Sequence, residues 1–177
     1  MQEVVFEVEI KTLSPINIGS GAQDKNSRVG FTVRGKDRIS YIPGTTVKGA
    51  LKYYFNQLIE KEHQEGMVCQ CPVCELFGKS GFSPSKIFVD DFKLTGGESQ
   101  EIRSFNRIDR RRRVCVEGAL FSKETVYGTY KGSITAYMED EEMKKVLEAA
   151  IRLMKQIGSG KSRGLGSVEV SCKEVEA

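Results

Sequence analysis

His63, Cys69, Cys71 and Cys74 put four soft ligands within twelve residues, in the stretch HQEGMVCQCPVCELFG. The spacing, H-x5-C-x-C-x2-C, lets one loop supply all four, and Pro72 and Gly78 favour tight turns around them. Zinc takes tetrahedral nitrogen and sulfur coordination. A site with four protein ligands is closed and structural, with no open position for a reactive water. The spacing is not the common pair of C-x2-C knuckles, so unrelated thiols beside a surface histidine are the competing reading. His63 is the only histidine and falls beside the cluster, which favours zinc. Five cysteines, three of them within 69–74, do not suit a disulfide framework, because rings closed over such short spans are strained.

A second group has a different chemistry. In IRSFNRIDRRRRVCVEGALF, Arg103, Arg107, Arg110, Arg111, Arg112 and Arg113 face one acid within 103–113, Asp109. The planar guanidinium fork matches phosphate and stacks on bases, and Phe105 adds an aromatic face. Four consecutive arginines repel one another without a counter-anion. Nucleic acid is therefore the favoured partner, ahead of a solvated charged hairpin or an acidic protein surface.

The third group is the loop KQIGSGKSRGLGSVEV, where Gly158, Gly160, Gly164 and Gly166 surround Lys161, Ser162 and Arg163. A nucleotide-cradling loop normally runs from strand to helix, so that the helix N-terminus faces the anion. Here a helix pattern precedes the loop and a strand pattern follows it, and neither GxxxxGK[ST] nor GxGxxG is present. What remains possible is close approach of backbone N–H groups to a phosphodiester. A glycine-rich turn with incidental cations explains the loop equally well.

These groups need a scaffold. Residues 3–12 alternate, with Val4, Phe6, Val8 and Ile10 on one face, which predicts a half-buried strand. Residues 14–42 read as a long loop followed by a possible hairpin. IPGTTVKGALKYYFNQLIEK predicts a helix capped by Thr45 or Thr46, with Val47, Leu51, Tyr54, Phe55 and Leu58 as its apolar stripe. Lys48 and Lys52 lie off that stripe near its start. A second helix follows Met143, Val146, Leu147, Ala150, Ile151 and Met154, with Gly158 as its left-handed stop. The acids at 139–142 open this helix, so its dipole explains them better than a metal does. Residues 125–138 and 167–173 alternate as strands. With one more strand before 125–138, the order is the split β-α-β-β-α-β of an α+β, ferredoxin-like or RRM-like core. The fold read from this order is a single domain over 1–177, with an insertion at 63–124 carrying the zinc knuckle at 63–78. In such a core the loop before the last strand approaches the first helix, so Lys48 and Lys161 should converge.

The whole chain sets bounds. Its 177 residues allow one core with an insertion, or two small domains at most. Its formal charge of +3 is too small to prove a polyanion partner by itself. No stretch approaches the ~20 apolar residues of a membrane span and no apolar signal follows Met1, so no membrane partner and a cytoplasmic address are expected.

Taken together the motifs resemble the CRISPR-associated RAMP superfamily. IPGTTVKGAL resembles its first-helix signature and IGSGKSRGLGSVEV its C-terminal glycine-rich loop. CQCPVCELFG and RIDRRRRVCVEGALFSKETVYGTYKGSI resemble segments of the backbone subunits of type III effector complexes. The resemblance spans nearly the whole chain, with four motifs in order. It implies a subunit that forms a homo-oligomeric filament along a guide RNA (crRNA), alongside other CRISPR effector subunits, and positions a complementary target RNA. Lys48, Lys52, Gly160, Lys161, Ser162 and Arg163 would hold guide phosphates, with Arg28 among the RNA-binding residues. A thumb-like segment at about 98–117, carrying the arginines and Phe105, would contact guide and target, with structural zinc bracing the insertion. Base pairing supplies the sequence reading in such assemblies. Subunits of this kind that cleave target RNA place an aspartate in the loop before Ile-Pro-Gly. That place falls near Arg28, with Asp24 and Asp37 out of register. The favoured reading is a scaffold without catalytic residues. Metal-dependent cleavage through Asp24, and a zinc-containing interaction module that binds no RNA, are the alternatives. A guide-processing ribonuclease is disfavoured, because its general base is usually a histidine and His63 is committed to the cysteines.

Overall fold

The computed structural model describes residues 2–23, 29–59, 69, 71–79 and 83–175. Its elements are β1 (Gln2–Thr12), β2 (Gly19–Gln23), β3 (Val29–Thr32), β4 (Tyr41–Ile42) and α1 (Gly44–Leu58). Then come α2 (Pro72–Phe77), β5 (Ile87–Val89), β6 (Phe92–Phe105), β7 (Phe121–Met138), α3 (Glu141–Leu153) and β8 (Val168–Val175).

β1 buries Val4, Phe6, Val8 and Ile10, the row its alternation predicts. It runs antiparallel to β7 from Gln2↔Met138 to Lys11↔Thr129, and antiparallel to β8 on its other side. The strand missing from the sequence pattern lies across β7 and is split into β5 and β6, both antiparallel to it. The resulting order, β8–β1–β7–β5/β6 with α1 and α3 in the two crossovers, is compatible with a ferredoxin-like core.

One apolar face of each long helix joins the buried row of β1. Val47, Leu51 and Phe55 of α1 and Leu147, Ala150 and Ile151 of α3 are fully buried in the same cluster as Phe6 and Tyr130. Phe77 of α2 meets Phe55 edge-on, with ring centroids 5.3 Å apart. This ties the cysteine segment to the core.

Three local expectations change. α1 begins at Gly44, before either threonine, and has no side-chain cap of its own. The Asp91 carboxylate accepts from the Gly44 N–H at 2.8 Å instead. A side chain at 44 would collide with the Val89 carbonyl, so glycine is required for the helix end to seat there. α3 is capped by Asp140, which accepts from Glu142 N–H at 2.9 Å, and Glu141 and Glu142 lie in its first turn, the dipole role expected of the acids. It ends at Leu153, well before Gly158, because the chain from Lys155 to Ile157 turns extended and pairs with Gly166–Val168. β7 continues past the core, so β6 and β7 form a long hairpin from Lys93↔Lys131 to Phe105↔Phe121, turned by residues 106–120. β3 borders the same stretch of β7 on its other edge, in parallel. Among the described residues no helix is long and apolar enough to cross a membrane.

Candidate nucleic-acid groove and metal centre

The glycine-rich loop is held at several points. Ile157 N–H donates to Gly166 O at 2.8 Å and Val168 N–H to Lys155 O at 2.9 Å, closing a short ladder beneath the loop. Gly158 has φ +81°, and a Cβ there would stand 2.6 Å from Asn17 O, so only glycine permits this approach. Ser159 then donates twice to Asn17, from its N–H to the carbonyl at 2.8 Å and from Oγ to Oδ1 at 2.6 Å. Leu165 is fully buried as an anchor. Above it, one 3-10 turn over Lys161–Arg163 leaves Lys161, Ser162 and Arg163 exposed.

Between this loop and α1 lies an open groove of about 430 Å³. α1 contributes Thr46, Gly49, Ala50 and Tyr53, the loop Gly158, Ser159 and Lys161, and the strand side Asn17, Ile18 and Gly19. Lys161 makes no ion pair or side-chain hydrogen bond among the described residues. The groove therefore offers glycine-lined backbone beside an uncompensated ammonium, a combination suited to a phosphodiester.

Lys48 and Lys52 do not join it. A helix advances about 100° per residue, so positions 48 and 52 share one flank while 46, 49, 50 and 53 share another. The Lys48 ammonium donates to Ser85 Oγ at 2.7 Å and to Ile87 O at 2.9 Å, stitching α1 to the start of β5. Burial lowers its pKa, and the neighbouring Lys52 charge lowers it further. With Asp91 on the helix N-terminus, the convergence of Lys48 with Lys161 expected from the sequence is not formed. The loop meets α1 along its other flank.

The arginine group sits on the β6–β7 hairpin. Phe105 stacks on Phe121 with centroids 5.5 Å apart, and the Arg163 guanidinium lies 5.8 Å above the Phe121 ring. This links the glycine loop to the last strand pair of the hairpin, where its tip begins. Arg103 pairs with Glu101 at 2.5 Å. At the tip, Arg107, Arg110, Arg111, Arg112 and Arg113 are exposed and carry no ion pair among the described residues. Asp109 is occupied by backbone, accepting from Arg111 N–H at 2.8 Å and Arg112 N–H at 3.0 Å. It shapes the turn while the guanidinium groups stay free for an anion.

Sequence reasoning missed the residues that hold the hairpin to the core. Glu124 is buried, and its carboxylate accepts from Thr32 N–H at 3.0 Å and from Arg34 Nε and Nη2 at 3.1 and 2.7 Å. Arg34 also reaches Glu98 at 3.0 Å and Gln100 at 3.1 Å on β6. Burial opposes the Arg34 charge, but the Glu124 hydrogen bonds and charge, with Glu98, outweigh it and raise its pKa. Lys123 donates to Ser159 Oγ at 3.0 Å, tying β7 to the loop. Glu124 stands two positions from Val126, a polar side chain in an apolar row, which was a signal, but its partners are some ninety residues away in sequence.

Cys69, Cys71 and Cys74 bring their Sγ atoms within 4.8 Å of one another and could hold a metal ion. Cys71 precedes α2, and its Sγ accepts from Cys74 N–H at 3.4 Å. Burial, reinforced by hydrogen bonds and charge from Cys71 and Cys69, pushes the Cys74 thiol up to about 11. Three crowded sulfurs ionise together only against a cation. Tetrahedral Zn–S bonds of ~2.3 Å imply sulfur separations of roughly 3.8 Å, within reach of this arrangement. The donor set fits a soft divalent metal. His63, Asp24 and Arg28 lie outside the described residues.

No curated protein matches the chain. The model of the RAMP superfamily matches residues 9–169, which include α1, the cysteine segment, the basic hairpin and the glycine loop. The chain belongs to the RAMP superfamily, and that membership supports a CRISPR effector subunit that binds RNA.

Proposed function

We infer that this protein is a backbone subunit of an RNA-guided CRISPR effector complex, built on an RRM-like core. Copies of it line up along the guide RNA as a filament and position complementary target RNA, with other effector subunits completing the assembly in the cytoplasm. The observation that carries the reading is the groove between α1 and the glycine loop. It presents Lys161 without a counter-charge and continues through Arg163 and Phe121 to the arginine-bearing hairpin. Such a surface follows a sugar–phosphate backbone without reading bases, which suits a strand whose bases must stay free for pairing.

Zinc held by Cys69, Cys71 and Cys74, with His63 as the fourth ligand, would brace α2 against Phe55. The chain acts as a scaffold, and target cleavage belongs to another subunit. An Asp24→Ala variant that abolished metal-dependent target cleavage would move the activity to this chain.

RNA affinity as a function of salt tests the reading. The chain should bind single-stranded RNA of any sequence with a steep salt dependence, and repeat-derived guides should co-purify with it. Changing Lys161 and Arg163 together to alanine should flatten the slope of log K against log salt by about 1.4, the share of two phosphates on a single strand. An interaction module that binds no RNA would show neither the affinity nor the slope.

A further inference from the structure

Tyr53 is the only aromatic residue among those described in the groove, and it is 60% exposed. The core does not need it, since Val47, Leu51 and Phe55 already fill the buried face of α1. Its ring is nevertheless restrained. Tyr54 packs against it edge to face, with centroids 5.2 Å apart and planes at 85°. Four of the residues that line the groove with it are small. Gly49 and Ala50 lie one turn earlier on the same flank, and Gly19 and Gly158 lie across the groove. A Cβ added at Gly49 or Gly19 would meet nothing within 4 Å, so the space is open.

We propose that the slot over Tyr53 is a nucleobase site: one base of the bound single strand leaves its neighbours and stacks on the ring, while Lys161 holds an adjacent phosphate. The inference rests on the groove being an RNA-binding surface, and it names the unit bound there, one nucleotide with its base unstacked. A flat aromatic face in an open slot fits a planar ring, and each base stacked on an aromatic side chain adds substantially to single-strand binding whatever its identity. No acid lines the groove among the described residues. An apolar side chain from a protein partner would cover Tyr53 but leave the Lys161 charge unanswered, whereas a nucleotide answers both. Because every base has a π-face, such a site holds the strand without selecting its sequence.

The test uses the full chain and a short single-stranded RNA carrying one fluorescent adenine analogue. Tyr53→Ala should weaken binding about tenfold and Tyr53→Phe should bind as the parent does. The salt slope should stay unchanged in both, because the same phosphates remain neutralised. Binding should quench the analogue in the parent and in Tyr53→Phe, but not in Tyr53→Ala. If Tyr53→Ala keeps parental affinity and quenching while Lys161→Ala weakens binding, the base site is wrong and the groove reading stands. If the parent shows no salt-dependent affinity, both fail. Retained RNA binding without association between copies would assign the ring to a protein interface and overturn the proposal.

Discussion

The glycine loop and the hairpin tip both present cations, yet they are built in opposite ways. The loop is pinned at several points: Ser159 to Asn17, Ile157 to Gly166, Leu165 in the core, and Lys123 reaching back to Ser159. The tip, residues 106–120, is largely exposed and held by its own turn, with Arg113 N–H donating to Asp109 O and Arg111 and Arg112 N–H to the Asp109 carboxylate, and with Ile108, Val114 and Leu120 facing outward. The loop spends its local interactions on fixing where Lys161 and Arg163 stand. Among the described residues the tip guanidinium groups carry no ion pair, so their ordering waits for a partner. One region offers a preformed grip at low cost in ordering entropy, and the other offers reach and charge. They are joined at Phe105, Phe121 and Arg163.

Glu124→Ala leaves the Thr32 N–H without its acceptor and Arg34 with Glu98 as its remaining carboxylate partner. A buried donor left without its partner costs about 1–3 kcal/mol, so chemical denaturation should show a loss of that order. A much smaller loss would mean that the hairpin is fastened elsewhere.

Gly158→Ala forces a side chain toward Asn17 O at a positive φ, a strain of about 1–3 kcal/mol. It should reduce stability and RNA affinity together, because the loop must leave its seat. Affinity that survives undocking would show that the loop's position does not matter.

Replacing Arg110, Arg111 and Arg112 by alanine should do the reverse. Stability should change by less than about 0.5 kcal/mol, as for other exposed sites. The salt dependence of RNA binding should become shallower by about 0.7 for each phosphate left without its cation. Denaturation and binding titrations on the same variant separate the two effects.

The smallest effect is expected at Lys48, which is tied into the seam with β5. Lys48→Met should leave the RNA salt slope unchanged, unlike Lys161→Ala. Its folded pKa lies below the ordinary 10.5 of lysine, so the unfolded chain holds this proton more tightly. Stability should therefore rise slightly as pH increases through the range just below 10.5, and Lys48→Met should remove that rise. A rise that persists in the variant would assign it to another group.

Much of the scaffold was legible in sequence because its signals are periodic. Val4 to Ile10 and Val126 to Met138 announce strands, and the stripes of α1 and α3 announce helices, since burial on one face imposes a spacing that the chain must repeat. The cysteine cluster was legible because its residues are neighbours. The flank of α1 that meets the loop was not. Lys48 and Tyr53 are equally plausible as groove residues until packing fixes the rotation of the helix. The cap of α1 was also missed, because Asp91 comes from a distant strand end and a Pro-Gly-Thr-Thr start suggests a local one.

By itself the sequence determined which segments alternate or coil, where the thiols gather, and that the cations of 103–113 and 161–163 have few acids nearby. These are properties of residues close together along the chain. Only the tertiary structure decided that Asn17 receives Ser159 across 142 positions, that Glu124 answers Arg34 across 90, and that Tyr53 rather than Lys48 faces the groove. Those pairings arise when the sheet and helices pack. The free energy that selects them is shared over the whole core, so no local pattern records it.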